Sequence, residues 1–138
     1  MKKLFLLPIL VLFFSCEVEG DFTKSIEDNP PISPVASVLY SGNFTPTSGI
    51  NVAGQAKIIS ESGALKLELS EFSVSSGPDL KVYLSKSSSP DEFITLGNLT
   101  SARIYSIPND VNFNEYTHVL IHCQQYNHLF AIAALTQN

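Results

Sequence analysis

Ser76-Gly77-Pro78-Asp79-Leu80-Lys81-Val82-Tyr83-Leu84-Ser85 is the stretch on which the fold class turns. Gly-Pro-Asp is turn chemistry, because proline presets its backbone angle and aspartate bonds local backbone amides. Directly after it Leu80, Val82 and Leu84 alternate with Lys81, Tyr83 and Ser85. A period of two places the three aliphatic side chains on one face of a strand. The same period recurs upstream, where Leu65, Leu67 and Leu69 alternate with Lys66, Glu68 and Ser70. Further strand candidates are 38–44, 52–60, 93–96, 104–107, 118–123 and 129–136, separated by Gly, Pro, Asn or Ser. Short strands at such spacing predict an all-β domain over residues 37–138, an antiparallel β-sandwich or barrel-like fold of about eight short strands. A helical period is missing, and residues 91–93 suffice for one turn at most.

The N-terminus has a different character. Lys2 and Lys3 precede an apolar run from Leu4 to Phe14, broken by Pro8, that stops at Ser15-Cys16. About 20 apolar residues are needed to cross hydrocarbon, so this run reads as a signal peptide, residues 1–15, rather than a span. Phe13-Phe14-Ser15-Cys16 resembles a lipobox, in which a small residue precedes the lipid-acceptor cysteine. Cleavage before Cys16 and lipidation on it would tether the chain to a membrane, with the outer membrane of a Gram-negative bacterium, periplasmic or surface-facing, as the expected location. Two or three acyl chains hold firmly where one binds marginally. An ordinary signal peptide with an incidental cysteine is the alternative. Residues 16–36 are acidic and then Pro-rich, without apolar periodicity, and read as a linker able to span about 25 Å as flexible coil. The acidic cluster after Cys16 serves either as an export tag or as a solvated tether.

Charge and motifs exclude several functions. The formal net charge is -5, and losing Lys2 and Lys3 with the signal peptide takes it to about -7. The remaining basic residues are scattered, so nucleic acid is not an expected partner. The sequence has no Gly-rich phosphate loop, no nucleophile-elbow serine and no Cys-x-x-Cys. The carboxylate pairs Asp91-Glu92 and Glu68 with Glu71 carry no pocket argument for acid/base work.

What remains is one thiol. With Cys16 acylated, Cys123 is the single free cysteine, so an intrachain disulfide is impossible. In His118-Val119-Leu120-Ile121-His122-Cys123, strand parity puts Val119, Ile121 and Cys123 on the expected core face and His118, Leu120 and His122 on the other. His118 and His122 would be metal partners on a helix, but on a strand they stand about 13 Å apart, so no metal site is expected. Gln124-Gln125-Tyr126-Asn127 is turn-like, and a four-residue hairpin would pair Cys123 with His128 and Ile121 with Phe130. An imidazole beside the thiol would lower its pKa and favour redox chemistry or ligation. Alternatively His128 is a solvated hairpin residue and Cys123 a small core hydrophobe.

Gly42-Asn43-Phe44, Gly54, Phe72, Gly77-Pro78-Asp79-Leu80, Val82-Tyr83-Leu84, Leu96-Gly97, Leu99, Tyr105, Pro108, Tyr116, residues 119–123, Phe130 and Ala134-Leu135 recur in an order and spacing that resembles the DM-thirteen electron-transfer domain family, over about residues 38–136. The resemblance implies a small β domain with one characteristic cysteine acting in redox, as a bare thiol or as ligand to a prosthetic group such as haem. Cys123 matches that position, with His128 and His122 as neighbouring candidates for cofactor binding and an unidentified redox protein as partner. His122 stands where members often carry Trp, and Ile50 and Asn51 lie where they often carry a His. Set against this redox module is a reading from another class, a non-catalytic binding or structural lipoprotein of the cell envelope.

Overall fold

The computed structural model describes residues 36–138; the signal peptide, Cys16 and nearly all of the expected linker lie outside them. Nine strands follow in chain order: β1 Ser37–Pro46, β2 Val52–Glu61, β3 Ala64–Val74, β4 Leu80–Ser85, β5 Phe93–Asn98, β6 Ile104–Ser106, β7 His118–Cys123, β8 His128–Ala134 and β9 Thr136–Gln137. Eight of them form one antiparallel path, β5-β4-β7-β8-β1-β2-β3-β6, and β9 pairs β1 beside it. The all-β expectation therefore holds, in a nearly closed barrel-like sandwich. Among the described residues no helix is long and apolar enough to cross a membrane.

One strand serves both layers. The first part of β1 pairs β2, with Asn43 opposite Gln55, and its last residues pair β8, with Phe44 opposite Ala133. At the switch, a side chain on Gly42 would overlap the carbonyl oxygen of Ala134, so a residue without Cβ is needed where the two backbones cross. The far edges are bridged by a short loop pinned by Tyr105, whose hydroxyl accepts from Thr100 N at 3.3 Å and donates to Ala102 O at 3.2 Å. Arg103 adds a bond from Nη1 to the Phe72 carbonyl at 2.7 Å.

Local chemistry sets the register. The β2–β3 hairpin turns on Ser62 and Gly63, both at positive φ (52° and 78°), the backbone that matches strand twist in two-residue turns. Further along this ladder, Gly54 at φ 109° and Glu71 at φ 49° form a bulge between Ala53 and Gln55. The extra residue shifts the parity of β3, so that Phe72 joins Leu67 and Leu69 in the core.

A second bulge corrects an expectation. β7 and β8 do form a hairpin with a four-residue loop, closed by Cys123 opposite His128, and Asn127 takes the left-handed conformation at φ 49°. His122 faces Leu129 in that register, but Ile121 faces Ala131, because the register shifts between Ile121 and His122. Phe130 is the residue the bulge absorbs, and it turns into the core beside Ala131 instead of pairing with Ile121.

The parity argument for β7 also needs correction. Val119, Ile121 and Cys123 belong to the main core as expected, yet Leu120 on the opposite face is fully buried and His122 is 5% exposed. β4 is likewise covered on both faces, with Val82 and Leu84 inward and Tyr83 buried outward against Phe93 (ring centroids 4.0 Å apart). Ser85, buried without exposure, sends its hydroxyl to the carbonyls of Ser89 (3.0 Å) and Glu92 (3.3 Å), which removes the cost of a bare buried hydroxyl.

Candidate functional site

Cys123 ends β7 and is held between two strands, opposite Leu80 on β4 and opposite His128 on β8. Two backbone ties fix this corner. Gln124 N donates to Asp79 O at 3.0 Å, and Leu99 N donates to Leu80 O at 2.8 Å. The Gly77-Pro78-Asp79-Leu80 turn is thereby clamped across the end of the sheet that carries the cysteine. The thiol is free and wholly buried, and it is part of the main core with Val82, Ile121 and Phe130.

The three histidines go to different places. His128 is exposed, and its ring meets the edge of Phe130 at 5.1 Å and 79°. The register thus brings His128 level with Cys123, while its imidazole is occupied by an aromatic contact. His122 lies on the other face of β7, 5.5 Å from the Tyr83 ring, and its Nδ1 is buried without a hydrogen-bond partner. Burial lowers its pKa, proximity to His128 lowers it further, and the Asn127 side chain works in the opposite direction. His118 pairs its Nδ1 with Thr117 Oγ1 at 2.8 Å, and burial lowers its pKa as well. Among the described residues no three His, Cys, Asp or Glu side chains gather closely enough to hold a metal ion.

Two open clefts mark the surface. One, of about 320 Å³, is lined by Gly77, Pro78, Asp79, Leu80, Asn98, Leu99 and Thr100. The other, of about 370 Å³, lies between residues 51–53 and 73–75, where Asn51 and Ser75 bond one another. Neither has Cys123, His122 or His128 in its wall. Haem ligation needs an axial side chain facing a slot wide enough for the macrocycle. Here the thiol is sealed in the core and the imidazole nearest in sequence points to the opposite face, so these residues do not fit a haem in this conformation.

Sequence reasoning missed Leu80 as the residue paired with Cys123 across β4 and β7. Its turn motif was visible, but the pairing of β4 with β7 joins strands distant in the chain, which alternation alone cannot align. It also missed Tyr83, whose polar partner positions Lys81 and Ser85 made the outer face of β4 look solvated. Burial raises the Tyr83 pKa, against a smaller lowering by Lys81.

No curated protein matches the chain at a significant level, and no solved structure does. The profile of the family described as Electron transfer DM13 matches residues 43–135, from the middle of β1 to the end of β8. Those residues include every strand that surrounds the buried, unpaired Cys123, and on this match the chain belongs to the electron-transfer DM13 family.

Proposed function

We propose that this protein is an exported lipoprotein, acylated at Cys16, whose β domain takes part in electron transfer through Cys123 as a bare thiol. The observation that carries the reading is the single unpaired cysteine inside a domain of the electron-transfer DM13 family. The anchor is supported by Lys2-Lys3, the apolar run that follows and the small residue before Cys16. Acylation and export to the outer membrane of a Gram-negative bacterium, and a protein redox partner in that compartment, complete the proposal.

The arrangement favours the thiol over a cofactor. A lone thiol has no second cysteine with which to close an internal disulfide, so its oxidised forms are the sulfenic acid or a mixed disulfide with an external thiol. His128 at the hairpin end, level with Cys123, would act on the thiol only by leaving the Phe130 ring.

The test uses the purified, processed protein. Its optical spectrum is expected to lack a Soret band, and mild peroxide treatment is expected to oxidise Cys123, read by mass spectrometry, with loss of that product in Cys123→Ser. A Soret band that disappears in Cys123→Ser would replace the bare thiol with haem ligation. A second reading has its own observation, the complete burial of Cys123 in an apolar core: a structural or binding lipoprotein whose cysteine only fills space. It predicts no oxidation before unfolding; the loss of stability in Cys123→Ser, about 1–3 kcal/mol for a hydroxyl buried without a partner, is expected under either reading. For the anchor, Cys16→Ser is expected to abolish lipid labelling, and normal labelling would remove it from the proposal.

A further inference from the structure

We propose that the cleft between the Gly77–Leu80 turn and residues 98–100 is the access route to Cys123, and that the Leu80 side chain is its gate. The inference rests on the reading of Cys123 as the reacting group, and it adds the residue that decides what reaches the sulfur.

Leu80 holds two positions at once. It is the β4 residue directly opposite Cys123, and directly opposite residues on antiparallel strands share a face with their Cβ atoms about 5 Å apart. It also lines the cleft of about 320 Å³, together with Gly77, Asn98 and Thr100. One side chain therefore touches both the solvent-open cleft and the environment of the thiol. Its neighbours further along β4 differ: Val82 and Leu84 are fully buried, whereas Leu80 is only partly so.

The turn above it is a close cap. A Cβ on Gly77 would stand 2.8 Å from Leu80 Cδ2 and 3.1 Å from Phe130 Cζ. The glycine backbone thus rests on the Leu80 and Phe130 side chains, the latter a core residue brought inward by the β8 bulge. The backbone at Leu80 is fixed by the bonds Leu99 N to Leu80 O and Gln124 N to Asp79 O, with the Asp79–Lys81 ion pair at 3.0 Å beside them. With the backbone tied, a change of rotamer at Leu80 is the smallest movement that joins cleft to thiol, and partly exposed side chains change rotamer in picoseconds to nanoseconds. Such an opening admits a small uncharged reagent to the sulfur.

The test is the alkylation rate of Cys123 by iodoacetamide in the full-length processed protein, read on the Cys123 peptide by mass spectrometry over low urea concentrations. Leu80→Ala should raise the rate in water at least about tenfold and leave it nearly independent of urea. Leu69→Ala removes a comparable buried side chain from β3, remote from the cleft, and should raise the rate only in proportion to its greater unfolded population. Leu80→Phe enlarges the gate and should slow labelling below that of the natural protein. If alkylation follows global unfolding in every variant, or if a folded Leu80→Phe reacts at the natural rate, the gate is overturned. Alkylation needs no redox activity, so a gated cysteine without redox function would pass here and fail the peroxide test. A redox cysteine reached by another route would do the reverse.

Discussion

The two layers that meet along β1 were built from the same alternating code and treat it differently. In the layer of β2 and β3, Leu67 and Leu69 are buried while Lys66, Glu68 and Ser70 keep partial exposure, so along β3 alternation in sequence is alternation in burial, and on β2 only Ile59 beside Ile58 breaks it. In the layer of β4 and β7, positions between core residues are also covered: Tyr83 stacks on Phe93 and lies 5.5 Å from the His122 ring, and Leu120, opposite Tyr83, is fully buried. Strands buried on both faces read as continuous apolar runs, and Val119-Leu120-Ile121 is such a run. The cysteine sits in the doubly covered layer. The thiol is therefore set between two paired strands, beside the Gly77–Leu80 turn that lines one of the two clefts.

The largest effects should come from deleting buried side chains on both faces of that layer. Leu84→Ala on the core face and Leu120→Ala on the outer face are each expected to lose about 2–5 kcal/mol in urea denaturation. Were the outer face merely solvated, Leu120→Ala would cost below about 0.5 kcal/mol, and the contrast between the layers would collapse.

Next come two bulges, one at Gly54 on the β2–β3 ladder and one on the β4–β5 ladder, where the register shifts between Val82, opposite Gly97, and Tyr83. Gly54→Ala forces a Cβ to within 2.7 Å of Phe72 Cα and the Ser70 carbonyl oxygen at φ 109°, a clash with backbone that cannot swing aside. Gly97→Ala meets nothing within 4 Å and carries only the penalty of φ 138°. Thermal melts should show Gly54→Ala losing more than Gly97→Ala, which is expected to stay within about 1–3 kcal/mol for an isolated strained residue. Equal losses would mean that backbone angle alone, without close approach, governs both bulges.

The pH response should be confined to the β7 layer, which holds His118 and His122. Burial depresses both pKa values below the ordinary 6.5. Both rings are neutral in either state above that value, so their contribution is flat there. Below it the unfolded chain takes up protons first, and stability falls as pH drops from about 6.5 through the folded-state values. His122→Gln should flatten this slope. An unchanged slope would assign it to His118.

The smallest effect is expected from the surface pair Lys66–Glu61 at 3.1 Å, where both side chains are about one-third exposed. Lys66→Met should change stability by at most about 1 kcal/mol, and less as salt is raised. A larger loss would show that the alternating layer depends on its polar face as well.

The sequence by itself determined the fold class, most strand positions and the closing pair of the last hairpin. Each of these rests on near neighbours in the chain: alternation in Leu65–Ser70 and Leu80–Ser85, glycine and proline at turns, and a loop length that puts His128 opposite Cys123. It also singled out Cys123 by counting thiols. Tertiary structure alone decided that both faces of β7 are covered, that the bulge before His122 turns Phe130 inward, and that Leu80 is the β4 residue opposite Cys123. The reason is physical. A strand's period reports which residues share a face but not what packs on that face, and one extra residue in a ladder reverses the faces beyond it. The partner strand of Cys123 is chosen by long-range pairing, whose register is set jointly by all eight strands of the barrel path.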